Sequence, residues 1–155
     1  MHGGDVPKDA EKLWQAAKTL QAKRDEALRR EEALCGPECL AELMRRRGGR
    51  TADVHSLANA MATSSEGTTL ANLAAASGRQ GVKLRGAELT TQGLAEQKLP
   101  AVALIAPGHF VLVEAVSGGR IGVWDPDARG PGRSGQREFQ VSEWERVWTG
   151  LALVP

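Results

Sequence analysis

The chain has 155 residues, with 20 Lys and Arg against 19 Asp and Glu, a formal net charge of +1 and a hydrophobic share of 41%. That is enough apolar side chain for one sizeable core, and so small a net charge sets up no global field for a nucleic acid or an acidic membrane. No apolar run approaches the roughly 20 residues that span a bilayer.

The N-terminus, "MHGGDVPKDAEK", lacks the apolar core of a signal peptide, which points to the cytoplasm. Its Met-His-Gly-Gly start reads equally well as an expression scar on a piece of a longer protein. From Pro7 to Arg30, Leu13, Trp14, Ala17, Leu20 and Leu28 fall on one face with charges elsewhere, predicting an amphipathic helix that packs on the domain or on a partner.

The stretch "ALCGPECLAEL", Ala33 to Leu43, holds both cysteines of the chain. Leu40, Leu43 and Met44 recur at helical spacing, Pro37 suits a first helical turn and Gly48 suits the position just past the end, so a helix runs from about Pro37 to Arg47. Cys35 opens that helix, where unpaired backbone N–H groups and the positive end of the dipole favour a thiolate; this is the placement of a nucleophile. Cys39 lies one turn on, beside Leu40 and Leu43, and reads as a small buried hydrophobe. A disulfide between the two is disfavoured by helical side-chain directions and by a reducing cytosol. Zinc needs two further ligands, and three residues between the cysteines is not the usual spacing, so no metal or other cofactor is expected. "RRRGGR", Arg45 to Arg50, reads as the solvated, cationic end of the helix.

A nucleophilic cysteine needs a base, and the chain has His2, His55 and His109. His2 falls in the tail. His55, in "TADVHSLANAM", sits on a short helix capped by Thr51, with Val54, Leu57, Ala58 and Met61 as its apolar positions, and reads as a partly exposed helix residue. "TTLANLAAASGRQG" predicts a further helix, capped by Thr68 or Thr69. His109 follows "LPAVALIAPG", a buried-strand pattern closed by Pro-Gly, and opens "HFVLVEAV", a second strand; at a strand mouth it is positioned to act.

"HFVLVEAV", Ser117-Gly118-Gly119 and "RIGVWD" read as two antiparallel strands around a glycine turn, the second ending where Pro126 interrupts "WDPD". A three-residue loop from Ser117 to Gly119 pairs Val116 with Arg120 and therefore Val111 with Asp125. His109 and Asp125 are then diagonal neighbours on one face, roughly 7–8 Å apart between backbones. A two-residue Gly118-Gly119 loop sets them on opposite faces. Asp127 is a competing acid, but it lies in the glycine-rich "DARGPGRSGQ" and reads as a solvated loop residue, which leaves Asp125 as the orienter of His109. Trp144 and Trp148 form the inner face of a short helix before a last strand, "GLALV".

Taken in order and spacing, "CGPECLAELMRRRGG", "EGTTLANLAAASGRQGVKLRGAEL", "LPAVALIAPGHFVLVEAVSGGRIGVWDPD" and "SEWERVWTGLALV" resemble the bacteriocin-processing cysteine peptidases. These papain-like domains, often fused to ABC transporters, remove leader peptides after a double glycine. The likeness covers Ala33 to Val154 and implies an α+β, papain-like fold with helices packed on an antiparallel sheet. It divides the chain into an N-terminal tail and amphipathic helix, 1–30, and a peptidase domain, 31–155. By the resemblance Cys35 is the nucleophile, His109 the base and Asp125 its orienter, the same three that local reasoning reaches. The resemblance further implies a peptide or leader-peptide substrate, an ABC transporter or other membrane partner, and a location in the cytoplasm, at the inner face of the membrane where the domain is part of a longer chain. One position departs from the family: the glutamine six residues before the cysteine, whose amide helps hold the oxyanion, is replaced by Arg29. That departure keeps a second expectation open, a peptidase-like domain that binds a peptide or partner protein without cutting it.

Overall fold

The computed structural model describes residues 8–32, 34–48, 53–61 and 67–155, at positions 8–9 and 23–32 for the backbone alone. Four helices come first: α1 (Lys8–Glu32), α2 (Cys35–Gly48), α3 (Val54–Ala60) and α4 (Leu70–Arg79). After them follow β1 (Arg85–Glu88), α5 (Thr91–Ala95), β2 (Ala101–Ile105), β3 (His109–Ser117), β4 (Arg120–Gly130), β5 (Arg133–Gln140), α6 (Val141–Val147) and β6 (Trp148–Val154). The strands make one six-stranded antiparallel sheet in the order β1-β6-β2-β3-β4-β5. This is the papain-like α+β fold expected from the sequence.

Strand alternation divides the apolar side chains between two layers. Val102, Phe110, Leu112, Trp124 and Leu153 meet Leu40, Leu43 and Met44 of α2, Leu57 of α3 and Leu73 of α4. Ala103, Val111, Val113, Ile121, Val123 and Phe139 point the other way, onto Leu94 of α5 and Trp144 of α6. The sheet is therefore covered on both faces, which is why β2 and β3 read as near-continuous apolar runs.

Several local expectations change. The β3–β4 loop has two residues, not three: Ser117 pairs with Arg120 and Val116 with Ile121. Gly118 and Gly119 both have positive φ, +60° and +76°, as a tight hairpin turn of mirror-image hand requires. β4 continues through Pro126 to Gly130, so "DARGPGRSGQ" is the tip of a β4–β5 hairpin rather than a loop; the register breaks between Trp124 and Arg129, which accommodates the proline. Asp53 occupies the N-cap of α3, while Thr51 lies outside the described residues. Thr69 caps α4, accepting a hydrogen bond from the Asn72 N–H at 3.1 Å. Trp148 leaves the helix to start β6 and stacks on the buried Trp144, ring centroids 5.4 Å apart.

The described side chains of α1, residues 10–22, are all exposed, Trp14 at 57% and Leu13 at 70%. This stretch does not pack on the domain; Lys18 instead lies over the Trp14 ring, 3.9 Å from its centroid. Among the described residues no helix is long and apolar enough to cross a membrane.

Candidate functional site

Three elements converge at one end of the sheet. The first is the start of α2. Glu38 N–H donates to the Leu34 carbonyl at 2.9 Å, closing the first turn around Cys35. The backbone here sits very close to its neighbours, and Gly36 is what permits it: a Cβ at that position would stand 2.5 Å from Thr68 Cγ2 and 3.4 Å from the Phe110 ring. Cys39 is fully buried one turn later, and its thiol donates to the Phe110 carbonyl at 3.5 Å. Burial pushes that thiol well above its ordinary range, and the neighbouring charges of Cys35 and Asp125 add to the effect, so it remains protonated. The second cysteine therefore ties α2 to the start of β3, next to His109. Both cysteines are free.

The second element is the β2–β3 turn, Ala106-Pro107-Gly108, with Gly108 at φ +70°. It delivers His109 as the first residue of β3, opposite Ile105. The third is β4. Val113 pairs with Val123 and Leu112 with Trp124, whereas Val116 pairs with Ile121; the difference is one residue, taken up by a bulge at Glu114. A two-residue turn alone sets His109 and Asp125 on opposite faces, and the bulge restores them to the same one. The expected loop was wrong, and the expected neighbourhood is right because a second irregularity offsets the first.

The geometry is compact. His109 Nε2 lies 2.7 Å from Asp125 Oδ1, and Cys35 lines the same cleft beside the imidazole. With Nε2 turned to Asp125, Nδ1 is the nitrogen left for Cys35. Asp125 is 2% exposed and receives two more bonds, the Asp127 N–H on Oδ1 at 2.9 Å and Arg137 Nη1 on Oδ2 at 3.0 Å. Burial alone disfavours its charge, but the hydrogen bonds from His109 and the Asp127 N–H, the His109 charge and the Arg137 hydrogen bond overcome this and hold the carboxyl below its usual range. Burial likewise works against a charged His109, and the hydrogen bonds and charges of Asp125 and Cys35 outweigh it, raising the imidazole to about 10. His109 is thus an imidazolium held between partners at neutral pH.

Asp127 is 67% exposed, as expected of a solvated residue, yet its Oδ2 stands 3.6 Å from His109 Nδ1. His109, Asp125 and Asp127 offer ligand atoms within 4.8 Å of one another. The donor set does not suit a metal: Asp125 already carries the Arg137 guanidinium on one oxygen and His109 on the other, and a second cation there would meet the first at close range. An open cleft of about 380 Å³ runs past this end of the sheet, bounded by Cys35, Pro107, His109, Asp127, Arg137 and Phe139.

The expected trio of Cys35, His109 and Asp125 is brought together. His55 is exposed on α3 and is not among the residues that line this cleft. The side chain of Arg29, and with it the oxyanion expectation, lies outside the described residues. Arg137 was not expected. Its signal was available only through register: it pairs with Val123, which places it one strand over and diagonal to Asp125. Arg46 also does more than end a helix, since its guanidinium bridges Glu42 of α2 and Glu114 of the bulge at 2.8 and 2.6 Å.

A cysteine at a helix start, facing a histidine–aspartate pair at the end of an antiparallel sheet, is the architecture of papain-like cysteine peptidase domains. The family model for peptidase C39 matches residues 25–155, and the chain belongs to that family. Solved structures agree in fold. A double-glycine-motif protease from an AMS/PCAT transporter, in complex with its leader peptide, superposes with TM-score 0.68 at 21% identity, covering 77% of this chain and 81% of that one. The peptidase domain of Streptococcus ComA, a bifunctional ABC transporter of a quorum-sensing pathway, gives 0.68 at 22% identity over 80% and 93% of the two chains. The N-terminal peptidase C39-like domain of a toxin-secretion ATP-binding protein from Vibrio parahaemolyticus gives 0.60 at 18% over 77% and 94%. No curated protein matches the chain by sequence.

Proposed function

We propose that the chain is a cysteine endopeptidase that cuts a peptide or leader sequence after small residues of the Gly-Gly kind, using Cys35, His109 and Asp125. The observation that carries this reading is His109 with Nε2 on Asp125 at 2.7 Å, in the cleft that it lines together with Cys35. In this reading the His109 imidazolium already holds the proton and the Cys35 sulfur attacks the scissile carbonyl. The imidazolium then protonates the leaving amine, the C–N bond breaks and a thioester remains. A water enters, gives a proton to the imidazole, and attacks the thioester; collapse releases the acid and frees the sulfur, and the imidazolium stands restored. Asp125 keeps the ring oriented and stabilises its charge throughout. The Cys35 backbone N–H, at the first position of α2, is the oxyanion donor supplied by the main chain. Small residues are needed at the bond because only they let the chain approach the buried sulfur closely.

The same reading takes 31–155 as the peptidase unit and 1–30 as an appended tail and helix. It takes an ABC transporter or other membrane partner as the source of substrate, at the cytoplasmic face of the membrane. The similarity to transporter peptidase domains supports this context. A non-cleaving domain that binds a peptide or a partner protein is the second reading, favoured by Arg29 at the glutamine position. Incubation of a double-glycine leader peptide with wild type, Cys35→Ala and His109→Ala separates them. Cleavage after the glycines by wild type only is the expected result; peptide binding without cleavage by all three establishes the second reading.

A further inference from the structure

We propose that Arg137 is a positioning residue for this site: its guanidinium holds one oxygen of Asp125 so that the other stays aimed at His109. The inference rests on the peptidase reading above and adds a fourth side chain to it. Asp125 Oδ1 receives His109 Nε2 and the Asp127 N–H, whereas Arg137 Nη1 is the side-chain donor on Oδ2, at 3.0 Å. A carboxylate gripped on one oxygen alone can rotate about its terminal torsion, which is broad and roughly two-fold, and present either edge to the imidazole. A cation on the second oxygen removes that freedom.

Arg137 is itself held. Its guanidinium carbon lies 4.5 Å over the Phe139 ring, a residue of the same strand face two positions on, and Phe139 is buried against Trp144. The stacking fixes the plane of the guanidinium and leaves the aliphatic stem covering apolar surface. The same side chain is half exposed and borders the cleft that holds Cys35 and His109, so it screens the Asp125–His109 hydrogen bond from the cleft side. Around this pair the other charged groups are Asp127 on β4, Glu38 on α2 and Arg129, which is paired with Glu38 at 2.8 Å. None of these groups replaces Arg137 on Oδ2.

The test compares wild type, Arg137→Met, Arg137→Lys, Asp125→Asn and the Arg137→Met/Asp125→Asn double variant with a double-glycine peptide. Methionine keeps a stem over Phe139 without the charge, and thermal midpoints check that each variant is folded. The expected result is a fall in kcat of about tenfold for Arg137→Met with KM within about twofold, because orientation is lost and not peptide binding. The acid limb of kcat moves to higher pH, since Asp125 loses one of the contacts that favour its charge. Arg137→Lys recovers most of the rate. In the Asp125→Asn background Arg137→Met adds nothing further. Unchanged kcat in Arg137→Met, or an equal loss in the Asp125→Asn background, overturns the proposal. Iodoacetamide labelling of Cys35 at neutral pH is measured in parallel. If wild type cuts no peptide the peptidase reading fails, and labelling still decides Arg137: slower labelling in Arg137→Met but not further in the double variant supports it, and equal rates overturn it.

Discussion

Glu114 meets Arg46 at 2.6 Å, and Glu114 is the residue by which β3 outruns β4. The contact anchors the bulge to α2, the helix that begins with Cys35. One irregularity in a strand thus sets the relation between α2 and the strands that carry His109 and Asp125. The expected consequence is a sharp contrast between two variants. Glu114→Ala removes a partly exposed ion pair and costs about 1 kcal/mol or less, leaving Cys35 reactivity close to wild type. Insertion of one alanine between Val111 and Leu112, away from the bulge, slides Val111 and His109 to the opposite face and abolishes both the cooperative unfolding transition and selective labelling of Cys35. Thermal melts and mass-spectrometric labelling read both.

The His109–Asp125 pair makes stability depend on pH in a definite direction. His109 is raised above its ordinary 6.5 to about 10, so its contribution is fully present below about 6.5 and is lost as pH rises through about 10. Asp125 is lowered, so its contribution is present above the ordinary aspartate value of about 3.9 and is lost as pH falls further. Both contributions are complete only between about pH 4 and 6.5. Urea midpoints measured from pH 5 to 10.5 are expected to decline through the alkaline range for wild type and to decline less for Asp125→Asn and His109→Ala. Parallel curves for all three proteins rule the coupling out.

Gly36 is a packing requirement of the site. A Cβ there stands 2.5 Å from Thr68 Cγ2, so Gly36→Ala forces α2 or Thr68 to move. Overpacking of this kind costs roughly 1–3 kcal/mol. Thr68→Ser removes that methyl while keeping the hydroxyl that donates to the Met61 carbonyl at 3.4 Å. The Gly36→Ala/Thr68→Ser pair is expected to recover a large part of the stability lost by Gly36→Ala alone, read from denaturant midpoints. A double variant no better than the single one locates the clash at Phe110 instead.

What the sequence made legible was local. The helix that opens with Cys35, the apolar strands before and after His109 and the glycine hairpin are each written in ten or fifteen residues, and each forms where its pattern lies. Asp125 was reached by counting register from an incorrect turn, because a bulge leaves no periodic trace in "HFVLVEAV" until the partner strand is aligned with it. The role of Cys39 as tie to the Phe110 carbonyl and the approach of Arg137 to Asp125 depend on pairings 71 and 12 residues apart in sequence. The exposed face of α1 illustrates the opposite limit: amphipathic spacing reports that a helix has an apolar stripe and not what covers it.

Arg29 is where the chain departs from its family, and a substitution there separates the two functional readings. The resemblance places a side-chain amide donor at this position, and an oxyanion donor in correct geometry is worth roughly 3 kcal/mol, or 10²–10³ in rate. Gln15 and Gln21 lie too far upstream to take its place without an insertion. On the peptidase reading, the Cys35 backbone N–H is left as the main-chain donor and the oxyanion site is weakened. Arg29→Gln is therefore expected to raise kcat at least about tenfold on a double-glycine peptide, with KM within about twofold, because the restored bond strengthens as negative charge develops on the carbonyl oxygen. A lower kcat in Arg29→Gln has a different meaning: arginine itself is the donor, and the departure is a substitution of one donor for another. If wild type and Arg29→Gln bind the peptide alike and neither cuts it, the chain is a binding module that keeps the geometry of a peptidase. Cys35→Ala, assayed beside them, sets the baseline against which each of these outcomes is read.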